Sequence, residues 1–377
     1  GNAIPRERQH SLRASGGHCR GGKTCAIAGF EKIVTFDMGG TSTDVAHYDG
    51  SYERSFETEI AGVRLKTPMM AIHTVAAGGG SLVQYDGARF RVGPESAGAH
   101  PGPACYGKGG PLTVTDCNVL LGKIQPDFFP QVFGSDGKAP LDRAIVTEKF
   151  QALAETLAQE PAEIAAGFLA IAVENMSNAI KQISLQRGHD VSDYALCCFG
   201  GAGGQHACAI AETLGIKTIV IHPFAGVLSA YGIGLAEIRI LKEKAIEKVL
   251  EADLFPELEA EFQQLKHQAI AELSQQHPPS EAEIFEERKA HLKYQGTDST
   301  LIVTFADQKT MVAEFSALHQ QRYGFTLPDK ALIVESISLE LICETQTATE
   351  TPQPQRTAGP VKPMETVAIY SGGQWQQ

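Results

Sequence analysis

Two short apolar runs in this chain each end in a glycine cluster, and that pairing narrows the fold to a sheet whose strands deliver backbone-lined loops to a ligand. The first, Ile33 to Phe36, reads as a buried strand leading into FDMGGTSTDV, with Asp37 where the strand ends. Gly39 and Gly40 let the backbone turn and approach an anion without Cβ interference. Thr41, Ser42 and Thr43 offer hydroxyls and amides to phosphate oxygens, while Asp37 and Asp44 can hold a cation or orient a water. The alternative is a tight hairpin whose polar residues serve only the turn. The second run, YALCCF from Tyr194 to Phe199, leads into Gly200, Gly201, Gly203, Gly204 and Gln205. Helical spacing follows, with Ala207, Ile210, Ala211 and Leu214 on one face. A strand, a glycine loop and a helix N-terminus can receive phosphate or lie flat against a nucleotide. The spacing is neither a Walker loop nor a dinucleotide fingerprint.

The 377 residues suffice for two domains, and 43% hydrophobic with 20% charged residues is an ordinary globular balance. A formal net charge of −12 argues against nonspecific nucleic-acid binding. No uncharged apolar run approaches the roughly 20 residues needed to span a bilayer, so neither membrane nor nucleic acid is an expected partner. Eight cysteines lack paired CxxC spacing, which argues against a zinc ribbon. Cys197 and Cys198 should face opposite sides of a strand as small core residues, and Cys105, in GPACYG, is either packed or an exposed thiol.

Arg89 to Val92 alternates as a strand, and Glu95 to Gly110 reads as an irregular Gly/Pro loop carrying Ser96, His100 and Cys105. His100 there suits a hydrogen-bonding scaffold role. TVTD, from Thr113 to Asp116, reads as a further strand ending in a carboxylate that could orient water or a metal. Helical periodicity runs from Leu141 to about Arg187, with Pro161 at a helix start, Ile164, Phe168, Ile171, Val173 and Met176 on its apolar stripe and Gly188 as its stop. Lys217 to His222 reads as a strand, and Gly226, Ser229, Gly232 and Gly234 as small residues for close helix packing. A charged amphipathic helix spans Glu251 to His277, with Leu254, Leu258, Phe262, Leu265 and Ile270 inward. Glu286 to Phe305 and Leu332 to Cys343 alternate as strands, YQGTD (Tyr294 to Asp298) lying in a turn between them.

FDMGGTSTDV, HTVAAGGGS (His73 to Ser81), VGPESAGAHPGPACYGKGGPLTVTD (Val92 to Asp116), QRGHD (Gln186 to Asp190), CFGGAGGQHACAIA (Cys198 to Ala211) and YQGTD together resemble the hydantoinase A and 5-oxoprolinase family, over about Thr24 to Cys343. The resemblance implies an α/β, ribonuclease-H-like lobe of the actin-type ATPase group, with an additional small α+β unit. It implies ATP and magnesium as cofactors, opening of a cyclic amide, chiefly 5-oxo-L-proline to L-glutamate, and a place in glutathione metabolism; the composition and the lack of a spanning apolar run or signal peptide give a cytoplasmic setting as the expectation. N-methylhydantoinase-like or ketone-carboxylase-like subunits are alternatives, as is a non-catalytic, partner-binding remnant. By the same resemblance Asp37 to Asp44 match the second phosphate motif, with Asp37 as metal ligand and Asp37, Asp44 and Asp116 as catalytic carboxylates. Gly200 to His206 match the adenosine motif.

Nothing before Phe36 resembles the family's first phosphate motif, and the family's second catalytic region, hydantoinase-B-like, is expected as a separate region or subunit, with a homo-oligomer also admissible. Residues 1–23 match no part of the family. Back-translated from His10 to Lys23 and read one nucleotide later, they can spell IPSGPAGGIVGAV, similar to the family's SGPAGG segment at that place, so an out-of-frame translation is expected. A disordered basic arm is the alternative. The expected organisation is 1–23 out-of-frame or disordered, 24–245 ATPase-like lobe, 246–345 α+β unit, and 346–377 linker with one strand from Val367 to Tyr370. Such a chain alone should bind ATP poorly and not turn over 5-oxoproline.

Overall fold

The computed structural model describes residues 28–49, 54–55, 58–60, 63–65, 69–185, 188–230, 238–276, 284–343 and 363–377, with residues 22 and 25. The segment to Lys23 is otherwise outside the described residues, as are Gln186, Arg187, Gly232 and Gly234. The chain divides into two compact units, Gly1–Gly234 with Gln353–Gln377, and Leu235–Pro352.

The first unit is built on a five-stranded sheet. Its strands are β1 (Lys32–Met38), β2 (Thr43–Asp49), β3 (Ile72–Val75), β6 (Ala195–Phe199) and β7 (Thr218–Ile221), in the order β7-β6-β1-β2-β3. A hairpin, β4 (Ser81–Tyr85) with β5 (Phe90–Ser96), lies between β3 and the helices. In the sheet β1 runs parallel to β6 and β6 to β7, while β2 is antiparallel to both β1 and β3. One reversed strand inside an otherwise parallel sheet is the ribonuclease-H-like arrangement. Along β1 the period of two divides the residues between two clusters: Val34, Phe36 and Met38 enter the larger core, and Ile33 enters a smaller one with Cys197, Phe199 and Leu228. Cys197 and Cys198 accordingly sit in different clusters, both as packed residues.

Four helices contribute to the larger core: α1 (Val114–Leu120), α2 (Arg143–Leu157), α3 (Pro161–Ile183) and α4 (Ala207–Leu214). Pro161 occupies the first turn of α3, where its missing N–H costs nothing. Ile164, Phe168 and Met176 are buried along α3, as the spacing predicts, while Ile171 and Val173 are half-buried and Ala172, Ala179 and Ile180 complete the stripe. The helix stops at Ile183, before Gly188. On α4 the buried residues are Ala207, Ile210, Ala211 and Leu214, the face expected from sequence.

Two expectations change here. The segment from Thr113 is not a strand: Thr113 is the N-cap of α1 and Asp116 its third residue, the pair forming a reciprocal capping box. The Gly/Pro loop also begins later than expected, because β5 extends to Ser96 and a 3-10 turn forms at Ala104–Tyr106. The chain's last segment is a hairpin, β12 (Ile369–Ser371) with β13 (Gln374–Gln376), joined to the first unit where Tyr370 N donates to Leu121 O at 2.9 Å.

The second unit is an antiparallel four-stranded sheet with two helices in its core. Strands β8 (Ile238–Val249), β9 (Ile284–Tyr294), β10 (Leu301–Thr304) and β11 (Leu332–Cys343) run in the order β8-β11-β9-β10. Helices α5 (Phe255–Gln276) and α6 (Gln308–Tyr323) supply Leu258, Phe262, Met311 and Phe315 to its core. Strand β8 pairs with β11 from Ile238 to Val249, which places 238–245 in this unit rather than in the preceding lobe. On α5, Ala269 and Leu273 continue the buried stripe, and Ile270 is exposed.

Candidate functional site

Because β1 and β6 are parallel neighbours in register at Asp37 and Phe199, their following loops leave the same edge of the sheet. In open α/β sheets that is where ligands bind, at the carboxyl ends of strands whose connections diverge. The loops touch directly, Ala202 N donating to Met38 O at 3.0 Å, and Gly200 N reaches the segment after β7 by donating to Ala225 O at 3.0 Å. Gly200 has φ +85°, and a Cβ there would meet Met38 O and lie 2.5 Å from Asp37 Oδ1. Gly203 is buried, with Cys198 Sγ 2.8 Å from where its Cβ would be. Gly40, Gly201 and Gly204 instead face open space, with nothing within 4 Å of an added Cβ among the described residues. The second loop therefore divides into glycines that let strands and loop approach and glycines that bare the backbone outward.

Asp37 and Asp44 are cross-strand partners on β1 and β2, so their side chains share one face of the sheet. Asp37 Oδ2 accepts a hydrogen bond from Ser229 Oγ at 2.8 Å, and Asp44 Oδ1 one from Thr74 Oγ1 at 2.6 Å. Gly39 N closes the hairpin on Ser42 O at 3.1 Å, while Gly40 and Thr41 are exposed and Ser42 is half-buried. Thr43 differs from the residues before it: it is fully buried, and its hydroxyl donates to Ala77 O. The period of two carries this signal, since Thr43 alternates with Asp44 and shares a face with the core residue Val45.

A third glycine run supports the hairpin from below. Gly79 N donates to Gly39 O at 3.1 Å and Gly80 N to Gly40 O at 2.6 Å. A Cβ on Gly78 would fall 2.5 Å from the carbonyl carbon of Thr41, so only glycine allows this approach. Neither the contact of this run with the hairpin nor that of Ser229 with Asp37 follows from local spacing, since each joins residues far apart in the chain.

Asp116 does not open to the site. It is fully buried; Cys105 N donates to Oδ1 at 2.8 Å, and Ala104 N, Thr113 N and Thr113 Oγ1 donate to Oδ2 at 3.1, 2.8 and 2.9 Å. Burial raises its pKa against the lowering effect of these bonds. Its carboxylate is thus committed to holding the 104–105 turn on the start of α1. Cys105 is buried as well, and burial, with Asp116 beside it, pushes its thiol pKa far up, the reverse of a reactive thiolate. Gln205 lies at the entrance to α4, its carbonyl 3.5 Å from Lys123 Nζ. Among the described residues, no group of three or more His, Cys, Asp or Glu could hold a metal by itself, and no helix is long and apolar enough to cross a membrane.

Glycine loops, paired carboxylates and a reversed second strand describe an actin-like ATPase sheet, and the sequence model of the hydantoinase/oxoprolinase family matches residues 16–242, so the match begins before Thr24, inside the segment expected to resemble no part of the family. The chain belongs to the hydantoinase/oxoprolinase family. Among its oxoprolinase relatives is 5-oxoprolinase 1 of Arabidopsis thaliana, 42% identical over 321 residues, an alignment covering 80% of this chain and 25% of that protein. The solved ATP-dependent caprolactamase from Pseudomonas jessenii is 27% identical with a TM-score of 0.78, covering 97% of this chain and 53% of that one. The nucleotide-free structure of acetone carboxylase, 22% identical with a TM-score of 0.68 over 96% of this chain and 54% of that one, has the same fold. The hydantoinase/oxoprolinase chain described here spans about a quarter of the length of the curated 5-oxoprolinases it matches.

Proposed function

We propose that this chain supplies the second-phosphate and adenosine walls of the ATP site in an ATP-dependent cyclic-amide hydrolase that opens 5-oxo-L-proline to L-glutamate. The observation that carries the reading is the convergence of the β1–β2 and β6–α4 loops, joined by the Ala202 to Met38 hydrogen bond, at one sheet edge. The donor set fits a magnesium nucleotide. Gly40 and Thr41 present exposed backbone beside the Thr41 and Ser42 hydroxyls, and Gly201 and Gly204 leave a flat opening of the kind a sugar or base requires. Mg²⁺ is usually held by one or two carboxylates together with phosphate, which suits the pair Asp37 and Asp44. Bound ATP would couple phosphoryl transfer to opening of the amide.

In this reading Asp37 is the metal-side carboxylate, held in place by Ser229, and Asp44, oriented by Thr74, faces the same space as cation ligand or water-orienting group. Gly39 shapes the hairpin, Gly200 and Gly203 shape the second loop, and Gln205 places the start of α4. Thr43 and Asp116 are positioning residues, since their polar atoms are spent inside the protein. A first-phosphate wall and a hydantoinase-B-like region or subunit complete the catalytic unit in this proposal, and the setting is cytoplasmic, within glutathione metabolism.

A second substrate reading has its own support in the caprolactamase likeness, which leaves the cyclic-amide class unchanged and replaces the five-membered lactam carboxylate with a seven-membered, uncharged lactam. One experiment tests both levels. With Mg-ATP added to the chain, NMR shifts should concentrate at residues 39–42 and 200–205 and disappear in Asp37→Asn. Shifts elsewhere, or none at saturating nucleotide, defeat the site. ATP hydrolysis stimulated by 5-oxoproline should be absent in the chain alone and appear when the hydantoinase-B-like partner and the remaining lobe are supplied; stimulation by caprolactam but not 5-oxoproline would transfer the assignment.

A further inference from the structure

We propose that helix α1 is a strut that fixes the spacing of the two glycine loops, with Thr115 and Asn118 as its positioning residues. The inference rests on the ATP-site reading only for its functional meaning. Thr115 and Asn118 are three residues apart, so they project from the same side of a helix. Thr115 reaches the first loop: its amide and its hydroxyl both donate to Gly79 O at 2.8 Å, and Gly79 N in turn holds Gly39 O at 3.1 Å. Asn118 reaches the second: its Nδ2 lies 3.3 Å from His206 Nε2, and His206 N donates to Gly203 O at 3.0 Å. Just beyond the helix, Lys123 Nζ approaches Gln205 O at 3.5 Å. Asp116, between the two, anchors the helix start to the 104–105 turn.

The energetics of this contact favour a positioning role over simple stabilisation. Asn118 and His206 are 2% and 1% exposed, and Asn118 Oδ1 and His206 Nδ1 have no hydrogen-bond partner among the described residues. A buried polar pair with unspent donors and acceptors is less stabilising than apolar side chains of the same volume would be. Its worth lies in direction: one amide-to-ring bond fixes where α4 begins and therefore where Gly203 to Gln205 stand. With Asn118 Nδ2 donating, His206 Nε2 accepts and Nδ1 carries the proton, so the ring must be neutral. Burial, assisted by the Lys123 charge, lowers its pKa to about 3 and keeps it so.

Hydrogen–deuterium exchange of the full chain without nucleotide reads the strut directly. Asn118→Leu, of similar volume but without the amide, is expected to speed exchange about tenfold in peptides covering 200–206 and, through the shared helix, in those covering 39–42. Thr115→Val should produce the same two-loop response from the other end, and Thr115→Ser should match the parent. Changes confined to the loop nearest each substitution, or exchange unchanged in both loops, overturn the proposal. If Asn118→Leu fails to fold, the Thr115 pair decides alone. Because the exchange is measured without nucleotide, a failure of the ATP-site reading would leave the strut standing, and a failure of the strut would leave the ATP site standing.

Discussion

Strand β8 of the second unit carries Lys242, Lys244 and Lys248, each paired with a glutamate of α5: Glu272, Glu261 and Glu257, at 2.5, 3.0 and 2.6 Å. Lys266 of α5 returns the pattern onto Glu286 of β9 at 2.8 Å, and Arg288 bridges Glu259 and Glu286. At the sheet edge of the first unit, Gly40, Gly201 and Gly204 border open space among the described residues, and the buried Asn118 and His206 and the half-buried Gln205 each keep a polar atom with no hydrogen-bond partner among those residues. The second unit pairs these charges within itself; the glycine loops of the first unit bare backbone at the strand ends. Self-pairing at a surface yields little free energy per contact, whereas bare backbone at strand ends is useful only if something docks there.

The largest break in this contrast should come from Gly200→Ala. The added methyl would collide with Met38 O and with Asp37 Oδ1 at a φ of +85°, so the loop must move or strain. A loss of about 1–3 kcal/mol is expected in urea unfolding, with loss of nucleotide-induced NMR shifts in the same variant. Stability unchanged within error would mean that the two loops are not held together as described.

Next in size is a pH effect centred on His206. Its folded pKa of about 3 lies below the ordinary 6.5, so in the unfolded chain it takes up a proton first as pH falls. Stability from the neutral ring is therefore complete above about 6.5 and declines as pH falls towards about 3. His206→Asn, which does not titrate, should lose less stability than the parent between about pH 7 and pH 5 in urea unfolding, and equal losses would contradict a neutral buried ring.

These contacts also show what could be read before the fold was known. Both strand–glycine units and the inward face of α4 follow from local periodicity, because Ala207, Ile210, Ala211 and Leu214 need no distant partner to declare a face. Asp116 was legible but misread: Thr113 and Asp116 have the spacing of a capping box before an apolar run, the signature of a helix start rather than a strand end. Strand β8 escaped because Lys242, Lys244 and Lys248 each meet a glutamate of α5, which hides the expected apolar alternation. Ser229 beside Asp37 could not be read at all. The two are 192 residues apart, and nothing local to either specifies the contact.

A smaller effect is expected where the second unit is self-satisfied. Lys248 and Glu257 are both about half exposed, so solvent screens their attraction. Lys248→Ala should cost less than about 1 kcal/mol in urea unfolding, and less still in high salt. A larger, salt-insensitive cost would show that the ion pairs between α5 and the sheet act as a cooperative frame rather than as separate surface contacts.

The smallest effect on stability is also the one that most sharpens the contrast. Gly201 is exposed, and a Cβ added there meets nothing within 4 Å among the described residues. Gly201→Ala should therefore unfold within about 0.5 kcal/mol of the parent. A methyl group at that position nevertheless stands on the surface assigned to the nucleotide, where it would lift a flat ligand away from the backbone. The expected result is unchanged urea unfolding together with weakened Mg-ATP binding by NMR titration. Binding equal to the parent would place the nucleotide off this loop. A loss of stability as large as that of Gly200→Ala would mean that Gly201, like Gly200, is a packing glycine, and the division of the loop into inward and outward positions would fail.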